Sequence, residues 1–211
     1  LYRKMDIKLF RKRINVKKWC KSNRFSFQEG ARELRLKELL EISRKKDIDK
    51  IAIGHNADDN IETFLMNLIR GAGARGLSGM KPVSGEIIRP LINTFRDDII
   101  TYLDNNKISY CMDRTNVENI YFRNRVRNLI IPFIEKESSI KSFKSNVLRS
   151  VNILKDESEF LKEYSLDKLL RAASVKKDKS GKNVILIKIP VSKIRRETVA
   201  VQRRIILSAL E

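Results

Sequence analysis

The sequence predicts an α/β fold, an open parallel sheet with helices, followed by a small and mainly helical domain. Three observations carry that prediction. The apolar run Lys50-Ile51-Ala52-Ile53 leads at once into Gly54-His55-Asn56-Ala57-Asp58-Asp59, the way a buried parallel strand opens at its C-terminal end onto a site. Ile61, Phe64, Leu65, Leu68 and Ile69 then recur at i, i+3, i+4, i+7 and i+8, the apolar stripe of an amphipathic helix. Strand and helix signals alternate around this pair, as they do in an open α/β sheet.

Taken in order, residues 7–14 alternate loosely and predict a first strand. Val16, Trp19 and Cys20 share one face of a short helix. Ser26-Phe27-Gln28-Glu29 reads as a capping box for the next helix, with Ala31, Leu34, Leu39 and Leu40 behind it. The strand at 50–54 and the helix from Ile61 follow, and Gly71 and Gly73 end that helix. A Gly-rich loop runs to Gly79. Glu86–Arg89 predicts another strand, Thr94-Phe95-Arg96-Asp97 caps a helix through Leu103, and Ile108–Cys111 predicts a returning strand. From Asn119 the chain turns helical and basic, with Pro132 expected to end or kink it. A long helix is expected over about 140–172, a lone strand at Val184–Ile189 and a last helix at Glu197–Leu210. The boundary falls near residue 136, giving domains of 1–136 and 137–211.

The formal charge is +19. Residues 1–24 hold ten Lys/Arg against one acid and residues 137–211 hold seventeen against nine, while the middle is nearly balanced. Such an end-loaded field attracts a polyanion, nucleic acid first among them; a solvated Lys-rich surface is the plain alternative. No apolar run approaches the roughly 18 residues of a membrane helix, and Leu1-Tyr2-Arg3-Lys4-Met5 does not open a signal peptide. Cys20 and Cys111 stand alone, with no CxxC and no Cys/His cluster, which fits free thiols in a reducing cytoplasm.

The chemistry concentrates in Gly54-His55-Asn56-Ala57-Asp58-Asp59-Asn60-Ile61-Glu62-Thr63. His55, the one histidine, stands at the strand exit. Asp58, Asp59 and Glu62 fall in or near the first helical turn, with Glu62 at i+4 and i+3 from the aspartates. Three carboxylates there suit Mg²⁺ or a substrate amine. The helix dipole also favours acids in a first turn, by about 0.3–1 kcal/mol each, without any ligand. Both readings stand on the residues alone.

These residues, with Leu68-Ile69-Arg70-Gly71-Ala72-Gly73, Gly76-Leu77-Ser78-Gly79-Met80, Ile88-Arg89-Pro90-Leu91, Asp113-Arg114-Thr115-Asn116 and Tyr121-Phe122-Arg123-Asn124-Arg125-Val126-Arg127, resemble the tRNA(Ile)-lysidine synthetases of the PP-loop ATP-pyrophosphatase superfamily. Glu29-Gly30-Ala31-Arg32-Glu33-Leu34-Arg35 resembles a further segment of that family. The resemblance spans about residues 7–136, and residues 137–211 match more loosely. It implies a Rossmann-like catalytic domain of the adenine-nucleotide α-hydrolase type, and a small second domain that contacts tRNA.

It also implies a reaction. ATP, with Mg²⁺, adenylates the C2 carbonyl oxygen of the wobble cytidine of the tRNA(Ile) that carries a CAU anticodon, and the ε-amine of free L-lysine attacks C2 and displaces AMP to leave lysidine. Carried over by position, Asp59 and Glu62 hold the lysine with Arg35 near its carboxylate, and Asp58 helps with Mg²⁺ or its water shell. His55, Arg35 and Arg127 face phosphate, and Arg70, Arg75, Arg123 and Arg125 contact tRNA. The family's Ser-Gly-Gly-x-Asp-Ser loop does not occur in the 211 residues, so the catalytic domain is expected to be N-terminally incomplete and this chain to bind ATP poorly alone. A cytoplasmic protein without membrane contact is expected, and a homodimer is compatible with the sequence. Two alternatives remain: a related tRNA-thiolating enzyme, although its CxxC pairs do not occur here, and a non-catalytic basic RNA-binding remnant.

Overall fold

The computed structural model describes residues 6–111, 119–177 and 184–210. Its contacts divide the chain into two compact units, one of residues 1–53 with 83–88 and one of residues 54–82 with 89–211. The second unit therefore runs through residue 136.

In the first unit, α1 (Val16–Asn23) starts where the Asn15 side chain accepts from Lys18 N at 3.0 Å, and it closes at Arg24 in the left-handed conformation. α2 (Phe27–Lys45) lies so close that a side chain on Gly30 would meet Cys20 Sγ at 2.3 Å. Trp19 and Phe25 stack beside that crossing, with centroids 5.3 Å apart. The side chain of Glu29, the second half of the expected capping box, lies outside the described residues.

The sheet of this unit has the order β1-β3-β2. β1 (Ile51–Ala52) pairs parallel with β3 (Ile87–Ile88), and β2 (Val83–Ser84) pairs antiparallel with β3. The sheet is open, as expected, but mixed rather than wholly parallel. Gly85, at φ +59°, lets the chain fold β2 directly back onto β3. The strand expected at 7–14 is not formed; residues 7–15 are neither helix nor strand. Lys12 instead ion-pairs with Glu38 and with Glu41, and Lys46 sits 5.3 Å from the Phe10 ring. Side chains, rather than a backbone ladder, fasten this segment along α2.

The second unit opens with α3 (Ala57–Ile69) and the single turn α4 (Ala74–Leu77), followed by α5 (Arg96–Asn105). α6 (Phe122–Arg125) continues through a π-helical turn, Val126–Ile130, into α7 (Ile131–Ser138). Pro132 sits in the first turn of α7, and Ile131 N donates to Val126 O across the wide turn. Proline has no N–H for the carbonyl one α-turn back, and the added residue of a π turn takes up that mismatch. The helix is thus widened at the proline rather than ended. Residues 108–111 form no strand, and Asp113-Arg114-Thr115-Asn116 lies outside the described residues.

α8 (Phe143–Ala172) is the longest element. Its N-terminal half packs Phe143, Val147 and Leu148 into a core with Ala57, Ile61, Leu65, Val126 and Ile131. Its C-terminal half packs Leu161 and Leu169 with Val201 and Ile205 of α10 (Val199–Leu210). Between α8 and α10 come the antiparallel pair β4 (Ser174–Lys177) and β5 (Val184–Lys188) and the short α9 (Val191–Ile194). The expected strand at 184–189 is therefore not alone. Its partner was hidden in the hydrophilic Ser174-Val175-Lys176-Lys177. No helix among the described residues is long and apolar enough to cross a membrane.

Candidate functional site

The site is built on the first turn of α3. Asn56 caps the helix: its Oδ1 accepts from Asp59 N at 3.0 Å, and Asp59 Oδ2 accepts from Asn56 N at 3.0 Å. This reciprocal cap fixes Asp59 to the backbone. Asp58 points elsewhere. Its Oδ2 accepts from Arg96 N at 2.8 Å, closing the start of α5, and its Oδ1 pairs with Lys144 Nζ of α8 at 3.1 Å. The start of α5 was expected to be capped by Thr94, yet its cap residue Phe95 offers no side-chain bond and Asp58 supplies one from α3. Burial pulls the Lys144 pKa down, but the hydrogen bond and charge of Asp58, with the charges of Glu135 and Asp97, raise it on balance above the usual lysine value.

Glu62 is 1% exposed, and both its oxygens are taken. Arg123 Nε donates to Oε2 at 2.7 Å, and Arg127 reaches Oε1 through Nε at 2.5 Å and Oε2 through Nη2 at 3.1 Å. The same two guanidiniums converge on Asp59 Oδ1, Arg123 Nη2 at 2.9 Å and Arg127 Nη2 at 3.2 Å. Two acids of α3 thus face two arginines from α6 and the π turn, a charge-balanced cluster in which a buried carboxylate keeps bidentate partners. Burial alone would lower the Arg127 pKa, but the Glu62 hydrogen bond and the charges of Glu62, Asp59 and Asp58 hold it above the usual range. The i, i+4 spacing of Arg123 and Arg127 spans the entry to the π turn, and both reach the same carboxylate.

The structure therefore gathers Asp59, Glu62, Arg123 and Arg127 into one cluster. Arg123, expected on tRNA phosphate, turns its guanidinium inward onto acid. His55 is half-buried, and its Nδ1 accepts from Arg89 Nε at 3.3 Å, while Arg89 Nη1 holds Lys81 O at 2.7 Å. Arg70 and Arg125 are exposed and flank the Phe122 ring, at 5.8 and 5.7 Å from its centroid. Arg75 is exposed on α4, and Arg35 is exposed on α2 of the first unit. Asp58 gives one oxygen to the Arg96 N–H and the other to Lys144. Among the described residues no group of three metal-ligating side chains comes together.

Two contributors were not singled out in the sequence. Lys144 gave no signal beyond charge. Asn60, 2% exposed, accepts from Met80 N at 2.8 Å through Oδ1 and so ties the Gly-rich loop to α3. The pairing of Glu62 did have a signal: it shares the buried face of α3 with Ala57, Ile61 and Leu65, and a carboxylate on a buried face requires counter-charges.

A family profile for the PP-loop domain matches residues 1–134. The tRNA(Ile)-lysidine synthase of Clostridioides difficile is 36% identical over 82% of this chain and 37% of its own length. That of Thermosipho africanus is 38% identical over 75% of this chain and 37% of its own. That of Caldanaerobacter subterraneus is 32% identical over 98% of this chain and 42% of its own. The chain thus spans about two fifths of the length of these curated relatives. Among solved structures, a U34-tRNA thiolase of Methanococcus maripaludis matches 60% of this chain and 43% of its own at 25% identity, with a TM-score of 0.46, a likeness too slight to bear on function.

Proposed function

The chain belongs to the PP-loop family, and from that premise we propose that it is the lysine-handling part of an ATP-using enzyme that forms lysidine at the wobble cytidine of tRNA(Ile). The observation that carries this reading is the cluster of Asp59 and Glu62 with Arg123 and Arg127. A site that joins a cationic amine to an adenylated base needs carboxylates for the ammonium and cations for the departing phosphate, close together and held before substrate arrives. The cluster contains both, and the family resemblance of its segments supplies the substrates.

Burial divides the roles. Glu62 is enclosed, with both oxygens bound, so it acts as a positioning residue that fixes the two arginines. The Asp59 side chain is 17% exposed and is the acid an incoming ε-amine can reach. The Arg127 side chain is 25% exposed, and its guanidinium is the cation this reading sets against the negative charge that develops on the leaving AMP. His55, held by Arg89, follows in the chain directly before the Asn56 cap and stands for the phosphate side. ATP supplies the activating group. Mg²⁺ would travel with the ATP phosphates, with Asp58 as the acid nearest to hand for its water shell. The cytoplasm is the compartment this reading implies, with tRNA(Ile) and L-lysine as partners.

The 211 residues hold no Ser-Gly-Gly-x-Asp-Ser loop, so by themselves they should show negligible ATP–pyrophosphate exchange. In a protein that carries such a loop ahead of this sequence, Asp59→Asn should abolish lysine incorporation into tRNA(Ile) while tRNA affinity stays within about twofold, since an amide keeps the shape and loses the charge. Full incorporation by Asp59→Asn would remove this acid from the reaction and the reading with it.

A further inference from the structure

Arg204 of α10 is 8% exposed, yet its guanidinium meets no carboxylate. Nη2 donates to Ser158 Oγ at 2.7 Å and to Ser158 O at 3.3 Å, and among the described residues no acid forms an ion pair with it. An arginine stays charged in proteins; Glu159 feels that charge but pairs with lysines and makes no hydrogen bond to the guanidinium, so the buried charge is only partly balanced. The guanidinium lines a cavity of about 140 Å³ between the Gly-rich loop, α8 and α10. Lys155 and Lys162 of α8 line it, with Lys81 and Arg75 from the loop side. The single acid on its wall, Glu159, is engaged with Lys81 at 2.8 Å and Lys162 at 4.0 Å. Five cations thus surround a space with one carboxylate.

We propose that this cavity is a phosphate-binding site in which Arg204 is the buried anchor. The guanidinium presents a planar fork to a tetrahedral oxyanion, and the lysine ammoniums close the remaining sides. The volume exceeds many times over the roughly 10–15 Å³ that one water needs, so the space is large enough to admit a phosphate group. Lys81 and Lys162, whose side chains are 50% and 43% exposed, lie at the mouth, where a phosphate joined to a chain would continue outward. The carrier we assign is an RNA backbone, and that assignment alone rests on the proposed tRNA substrate; the phosphate chemistry does not.

The test uses the whole chain and the double variant Lys155→Ala/Lys162→Ala, whose changes fall on partly exposed α8 positions. Inorganic phosphate should raise the unfolding temperature of the wild type, and isothermal titration should show binding that weakens at least tenfold in the variant. Transfer RNA affinity should fall in the variant, and the slope of log K against log salt should flatten by about 0.9 for each phosphate that the variant no longer neutralises. Arg204→Lys, which keeps the charge but not the fork, should weaken phosphate binding with the fold retained by circular dichroism. Phosphate binding with an unchanged RNA slope supports the site and overturns RNA as its carrier. No phosphate binding together with an unchanged slope overturns the site. Phosphate binding in a chain that binds no tRNA would leave the site standing and sink the tRNA reading instead.

Discussion

At the scale of single residues, Glu62 shows how burial decides a role. With 1% exposure and two arginines on its oxygens, it cannot be removed without leaving charges stranded. Glu62→Ala should cost about 3–5 kcal/mol of stability, whereas Asp59→Asn, nearer the rim, should cost less: it keeps the Asn56 cap, and solvent can reach the Arg123 and Arg127 donors that lose their acceptor. Urea unfolding midpoints of the two variants check this; equal losses would mean that the cluster is not organised around Glu62. Lys144 allows a test by pH. Its folded pKa lies above the unfolded value, so its contribution is complete below the ordinary lysine pKa of about 10.4 and is lost as pH rises through the raised value. The stability gap between wild type and Lys144→Met should therefore hold constant from pH 7 to about 10 and narrow above it. A gap that narrows on acidification down to pH 6 would contradict the Asp58 pairing.

At the scale of elements, the Gly-rich loop is fixed by one close approach. Gly79 has φ +64°, and a side chain there would meet Asn60 Oδ1 at 2.3 Å and Val151 Cγ1 at 2.8 Å. Gly71 has φ +76° with open space around it. Gly71→Ala should cost only the left-handed strain, about 1–2 kcal/mol, and Gly79→Ala clearly more, since the loop must leave Asn60. Equal costs, measured by thermal unfolding, would show that the loop is not seated on α3. Periodicity made α3, α8 and α10 legible in the sequence, because each buries a stripe. It misplaced a strand at 7–14, where alternating Leu9 and Lys12 fit an extended segment equally well whether a ladder or the side chains of α2 hold it. It missed β2 and β4, which are short and polar, since their pairing is set by partners rather than by their own composition. The acids of the site were legible as acids. Their arginine partners, about sixty residues away in the chain, were legible only as cations, since spacing along one helix does not say which way that helix faces.

At the scale of the whole molecule, charge and connectivity lead to separate expectations. The surplus of cations at the two ends of the chain and the arginines around Phe122 suit a polyanion. Connectivity concerns α8. Its thirty residues, about 45 Å of helix, supply Leu148 to one core and Leu169 to the other. A single ladder of backbone hydrogen bonds thus belongs to both, and neither core can melt without fraying the helix that the other depends on. Cooperativity in the second unit is therefore a property of this one helix, and calorimetry should record one transition for it. Glu157→Pro, at an exposed position between the two sets of core residues, should break the ladder and split that transition in two, the α10 half melting first because fewer buried side chains hold it.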